Sequence, residues 1–324
     1  MNYKILYILY LLPAVSVAQV CDDYPLYPSG SFNVSIDING WMRTFQLFTP
    51  WNEFSCGKNN YCVGPPKEPR PLVINWHGCN AHVPVVAYQE QISKIEQAAS
   101  DFNYYSITPV GSMEPFIEKY AWNTYGIKCG ALEADDFLFA EKLLEYIQNN
   151  LCVDMSRIYS TGFSTGAFHS NALGCSMTDK FAGIAPVAGS LGRAYYDQCV
   201  DGAPISYLSF HSKDDQTVPY DGNIDWESQP DVTAMWEKRN GCTNETATVT
   251  YKSETTICKR KECPGAPVED CTLVGLDHCW VGGRSGGFFT PGSCVKQEGD
   301  VDATTHMFET WEKEASMKRK KFKH

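Results

Sequence analysis

The stretch from Arg157 to Leu173 constrains the fold most tightly. Arg157-Ile158-Tyr159-Ser160-Thr161 reads as a strand and Ala167-Phe168-His169-Ser170-Asn171-Ala172-Leu173 as a helix, and only Gly162-Phe163-Ser164-Thr165-Gly166 joins them. So short a turn forces its central residue into a strained conformation, and the flanking glycines leave room where side chains would collide. The helix beyond offers its positive end to developing negative charge. A bare G-x-S-x-G pattern is weak, but between a strand and a helix it marks a serine held out at the end of an α/β sheet.

The rest of the chain agrees with such a sheet. Phe32 to Ile38 and Trp41 to Phe48 alternate apolar with polar about Asn39-Gly40, which predicts a hairpin with a type I′ turn. Leu72-Val73-Ile74-Asn75-Trp76 is a run suited to a strand buried on both faces and leads into His77-Gly78-Cys79. The pattern then predicts a helix over Val86 to Ala99, a strand over Tyr105 to Val110, a helix over Asp135 to Asn149, and strands at Arg157 to Thr161, Ile184 to Val187 and Ile205 to Phe210. Thr272-Leu273-Val274 can serve as a last strand and Ala303 to Ser316 as a closing helix, with an irregular cysteine-rich insertion at about Asn240 to Glu269. This order predicts an α/β fold with a mixed, mainly parallel sheet opened by an antiparallel hairpin, and with the serine turn an α/β-hydrolase fold with helices on both faces.

The first eighteen residues, with Lys4, an apolar run from Ile5 to Leu12 and Ser16-Val17-Ala18, read as a secretory signal peptide. Residues 19–317 then form one catalytic domain and 318–324 a basic tail. No apolar stretch is long enough to span a bilayer. All fourteen cysteines lie beyond residue 18, which predicts disulfide stabilisation. Cys258, Cys263, Cys271 and Cys279 cluster, but without the tight pair a zinc site uses, so no metal is expected. Asn33 and Asn244 begin glycosylation sequons. The net charge of −11, with five cations crowded into the last seven residues, leaves a body that repels a phosphate backbone and excludes nucleic acid as a partner.

A serine hydroxyl needs a base, which in this fold follows the acid in sequence. Of the seven histidines, His77 and His82 precede the serine and His169 follows it at once. His306 lies in a helix pattern, His324 ends the chain, and His211 ends the strand expected to carry the acid. His278 remains. The acid should follow the strand over Ile205 to Phe210, where Asp214 and Asp215 both stand. The oxyanion donors would be the backbone N–H groups of Thr165 and Cys79.

These residues resemble carbohydrate esterase family 1, which includes feruloyl esterases and the related polyhydroxybutyrate depolymerases. The likeness rests on Pro71 to Cys79, Trp122-Asn123, Asp135-Asp136, Val153 to Ser164, His211 with Asp215, Val218-Pro219-Tyr220, and His278 with Trp280. In the family pattern the acid stands four residues after the strand-end histidine, which selects Asp215. Ser212 and Val281 depart from it, where the family often has Gly and Pro. The resemblance implies a secreted, monomeric serine esterase without cofactor, acting on hydroxycinnamoyl esters of plant cell-wall polysaccharide. A polyester depolymerase is the alternative; a serine peptidase and a non-catalytic binding protein stand behind it.

Cys79 follows the oxyanion glycine and Cys279 follows the catalytic histidine, so a Cys79–Cys279 disulfide is expected. Trp280 and Trp122 are expected to wall the acyl group, with His77 also in the substrate-binding set. That both tryptophans merely pack their loops is equally open.

Overall fold

A computed structural model describes residues 21, 24, 27–50, 66, 68–79, 84–114, 119–123, 129, 133–243, 245–283 and 300–321. The expected signal peptide and Asn244 lie outside them. In chain order the elements are β1 (Gly30–Ile38), β2 (Trp41–Thr49), β3 (Arg70–Trp76), α1 (Val85–Ser93), α2 (Ile95–Phe102), β4 (Tyr105–Pro109), β5 (Ser112–Glu114), β6 (Lys119–Ala121) and α3 (Asp136–Asn150). Then come β7 (Val153–Phe163), α4 (Thr165–Ser176), β8 (Gly183–Val187), α5 (Arg193–Cys199), β9 (Ser206–Ser212), α6 (Gln229–Arg239), β10 (Thr248–Lys252), β11 (Thr256–Lys261), β12 (Val268–Leu273) and α7 (Ala303–Lys321).

Ten strands form one sheet in the order β1-β2-β4-β3-β7-β8-β9-β12-β11-β10. The six from β4 to β12 run parallel, and an antiparallel pair flanks them at each edge. All residues of β3, β8 and β9 are buried, as central parallel strands covered on both faces require. One face packs on Phe139 and Leu143 of α3, Leu173 of α4 and Trp236 of α6, and the other on Ile95 and Ala99 of α2 and Met307, Phe308 and Trp311 of α7. The α/β-hydrolase architecture is as the sequence predicts.

The opening hairpin has the expected turn, with Ile38 opposite Trp41 and positive φ at both Asn39 (55°) and Gly40 (86°). Four expectations are corrected. The helix over Val86 to Ala99 is two helices, broken at Lys94 (φ 53°), where the Glu90 carboxylate accepts the Glu96 N–H at the start of α2. The segment over Asn240 to Glu269 is an ordered ribbon of β10, β11 and the start of β12, clasped by Cys242–Cys263 and Cys258–Cys271. The last strand begins at Val268, four residues earlier than expected. The closing helix runs to Lys321, so Lys318 to Lys321 extend α7, where cations suit the negative end of the dipole.

At the hairpin, Arg43 Nη2 donates to Asp136 Oδ1 at 2.6 Å, with side chains 9% and 0% exposed. Five disulfides join described residues, the other three being Cys21–Cys152, Cys79–Cys129 and Cys175–Cys199. Among the described residues no helix is long and apolar enough to cross a membrane.

Arg43→Met should strand the Asp136 carboxylate and cost about 3–5 kcal/mol of stability in urea unfolding, with much of it regained in Arg43→Met/Asp136→Leu. A single-variant loss below about 1 kcal/mol would mean that solvent screens the pair.

Candidate active site

Ser164 directly follows β7 and is the N-cap of α4, with φ 53° and ψ −119°, a conformation that a residue with a side chain rarely adopts. The strain is held from both sides. Ser164 N–H donates to Val187 O at 3.0 Å, and its carbonyl accepts from Ala167 and Phe168. A Cβ on Gly162 would stand 2.5 Å from Gly166 O, and one on Gly166 would overlap the Trp76 carbonyl. Strand β3, the turn and the first coil of α4 therefore meet backbone to backbone.

Asp215 lies just past β9 and is 3% exposed. Its Oδ1 accepts the N–H groups of Thr217 (2.9 Å) and Val218 (2.7 Å), and its Oδ2 faces His278 Nδ1 at 2.8 Å. Burial alone would raise this carboxyl, but hydrogen bonds from His211 and His278, then the His278 charge and the Val218 N–H, hold it well below the usual carboxylate range. His211 Nε2 lies 2.9 Å from Val218 O and 3.3 Å from Asp215 Oδ2. Sequence reasoning set His211 aside as a base without seeing this supporting contact. The signal was its position four residues before Asp215, with a turn between them.

Asp214 is exposed and takes a different part, its Oδ2 accepting the Gly275 N–H at 2.6 Å. Asp277 Oδ1 accepts the N–H groups of Gln216 and His278. Lys213 N–H bonds to Leu273 O, and Ser212 Oγ donates to Leu276 O. The acid loop and the histidine loop are thus zipped together, and the His278 ring lies 4.8 Å from that of Phe163, next to Ser164. The structure thus sets His278 against Asp215 and beside Phe163, the residue before Ser164.

The loop expected to supply an oxyanion donor is shaped by His77. Gly111 N–H donates to its Nε2 (2.9 Å), so Nδ1 carries the proton and donates to Gly78 O (2.6 Å). In a trans peptide the carbonyl and the next N–H point opposite ways, so this grip aims the Cys79 N–H away from the imidazole. A Cβ on Gly78 would stand 3.2 Å from Ser164 Cβ, which puts this peptide beside the serine. Thr165 is the first residue of α4, whose N–H has no acceptor within the helix.

The expected substrate contacts are corrected. His77, Trp122 and Trp280 are 1%, 0% and 2% exposed, and their polar atoms serve the protein. Trp122 Nε1 donates to His77 O (2.7 Å), and Trp280 Nε1 to Thr304 Oγ1 (2.9 Å), which in turn donates to Ser93 O. The three side chains hold loops. Cys79 is bonded to Cys129, so the expected Cys79–Cys279 bridge does not form. Asn33 stands exposed on β1, open to modification. The cysteine cluster is consumed in disulfides at Cys258, Cys263 and Cys271.

Feruloyl esterase B of Piromyces equi is 32% identical over 232 residues, 67% of this chain and 41% of that protein. Feruloyl esterase D of Neurospora crassa is 25% identical over 244 residues, 74% of each chain. The chain belongs with the feruloyl esterase-like proteins. It spans about two fifths of the length of the Piromyces enzyme and 37% of the probable feruloyl esterase C of Aspergillus niger. No family model matches it. The acetyl xylan esterase from Aspergillus awamori superposes with a TM-score of 0.54 at 12% identity, over 76% of this chain and 94% of that one, which fixes the fold of this feruloyl esterase-like chain.

Burial lowers the pKa of His77 to about 4 and that of His169, on α4, to about 3. Neither ring nitrogen of His169 has a hydrogen-bond partner among the described residues. Below about pH 6.5 the unfolded chain takes up protons that these folded imidazoles refuse, so stability falls with pH until the folded values are reached. Denaturant unfolding from pH 7 to 4.5 should show this fall, and a shallower one in His169→Phe. Parallel slopes for the two proteins would refute the assignment.

Proposed function

We propose that this chain is a secreted serine esterase that cleaves hydroxycinnamoyl esters borne on plant cell-wall polysaccharide. The observation that carries the reading is the 2.8 Å contact between His278 Nδ1 and the buried Asp215, beside a serine held at φ 53°. With Nδ1 committed to the carboxylate, Nε2 is the nitrogen left to take the Ser164 proton. The fungal relatives named feruloyl esterase support the acyl class, and the disulfides fit an oxidising destination.

Ser164 Oγ attacks the ester carbonyl as His278 removes its proton, and Asp215 stabilises the imidazolium. The oxyanion of the tetrahedral intermediate accepts the N–H groups of Cys79 and Thr165, dipoles already in place before the charge develops. Collapse expels the alcohol, which takes the proton back from His278. Water, activated by the same imidazole, then releases the acid and restores Ser164. No step calls for a cofactor.

Ser164→Ala should leave the fold intact and reduce turnover of methyl ferulate by roughly 10³- to 10⁶-fold, because such residues act as a unit. Activity retained within about tenfold would sink the assignment. Asp215→Asn should cost far more rate than Asp214→Asn, since only Asp215 selects the histidine tautomer while Asp214 fastens the loop. Equal losses would move the acid to another group.

A further inference from the structure

The tip of the opening hairpin carries an indole where the core pattern calls for cover. Along the inner face of β2, Leu47 and Phe45 are 0% exposed and Arg43 8%, yet Trp41, next in the same line, is 57% exposed. Its partner across the hairpin, Ile38, is 9% exposed. Trp41 is therefore a large flat apolar surface on an inward-facing line, left open to solvent.

The sheet register places this surface on the rim that holds Ser164. Phe45 pairs with Pro109, Ile107 with Ile74, and Trp76 with Gly162, so Phe45, Pro109, Trp76 and Gly162 form one row across the sheet. Trp41 lies four residues beyond that row and Ser164 two, both past the carboxyl ends of the parallel strands. Three strand steps separate them, roughly 14 Å sideways. The tip is also fixed to the site. Arg43, on the same face as Trp41, donates to Asp136 Oδ1, while Asp136 Oδ2 accepts the Asn123 N–H at 2.6 Å. The neighbouring Trp122 donates to His77 O, at the oxyanion loop.

We propose that Trp41 is a sugar-binding platform that stacks on a pyranose ring of the polysaccharide bearing the scissile ester; this rests on the esterase reading above. The alcohol half of such an ester continues as a chain past the catalytic centre, and the hairpin tip stands on the same rim of the sheet. One face of a pyranose presents polarised C–H groups, which the negative face of an indole attracts while the hydroxyls stay in water. Pairing of the hairpin with a second copy is disfavoured by its outer strand, where Ser31, Asn33, Ser35 and Asp37 are exposed and polar.

The test compares kcat/KM for a feruloylated xylan oligosaccharide with that for methyl ferulate, in wild type and Trp41→Ala. The ratio of the two should fall about tenfold, chiefly through KM on the oligosaccharide, and Trp41→Phe should recover part of it. Direct binding of ester-free xylan oligosaccharide to Ser164→Ala, followed by calorimetry, should weaken by a similar factor in Ser164→Ala/Trp41→Ala. An unchanged ratio with unchanged binding overturns the proposal, as does a Trp41→Ala protein that differs from wild type only in oligomeric state by light scattering. Sugar binding that depends on Trp41, in a wild type that leaves methyl ferulate intact, would instead overturn the esterase reading and leave the platform standing.

Discussion

Three backbone segments converge at Ser164 with no side chain between them, and the remaining geometry is arranged around that contact. Gly166 lies against the Trp76 carbonyl and Gly162 against Gly166, so the end of β3 is pressed onto the turn between β7 and α4. This approach lets the His77-Gly78-Cys79 loop lean over the serine, because β3 runs straight into it. A methyl group at either glycine would push strand and helix apart and carry the oxyanion loop away with them. Positive φ at Ser164 follows from the same packing, and its cost is met by the fully buried strands around it.

Among the described residues no disulfide joins the loop of Asp215 directly to that of His278. Their cohesion comes from short polar contacts: Asp214 on Gly275 N–H, Asp277 on Gln216 and His278 N–H, and Ser212 on Leu276 O. Trp280 continues this tie through Thr304 to Ser93, whose hydroxyl accepts from Asn75 on β3. The histidine loop and the oxyanion strand are thus linked by a buried polar chain. Such a chain orders a site only when its members are satisfied, and here each link is a hydrogen bond between named groups.

What was legible in the sequence was what depends on local pattern. The Asn39-Gly40 turn, the apolar β3, the amphipathic α3 and the serine turn each announce themselves within a dozen residues. The start of β12 did not, because Glu269 and Asp270 break its apolar pattern. Glu269 is buried on Arg260 and His306, and the half-buried Asp270 accepts from Ser209 and Gln229, all remote in sequence. Helix α6 was overlooked although Ser228 caps it through the Asp231 N–H, and Val232, Met235 and Trp236 keep helical spacing. The partner of Cys79 and the burial of Trp122 and Trp280 depend on how loops cross in space, which spacing along the chain does not encode.

Three imidazoles stand at or just past the carboxyl ends of β3, β9 and β12, and their surroundings separate their chemistry. A histidine can carry a proton in turnover only where both its neutral and its charged form are accommodated. His77 fails this condition, since the Gly111 N–H occupies Nε2 and a second proton there would face another donor. His211 lies wholly inside, its Nε2 shared between the Val218 carbonyl and Asp215. His278 has the Asp215 carboxylate at Nδ1, and its side chain retains some exposure to solvent. The same carboxylate that fixes its tautomer balances the charge it gains. The proposal of His278 as base therefore rests on two separate arguments, elimination along the sequence and environment, and the second explains why His77 is suited to hold the His77-Gly78-Cys79 loop and not to act as a base.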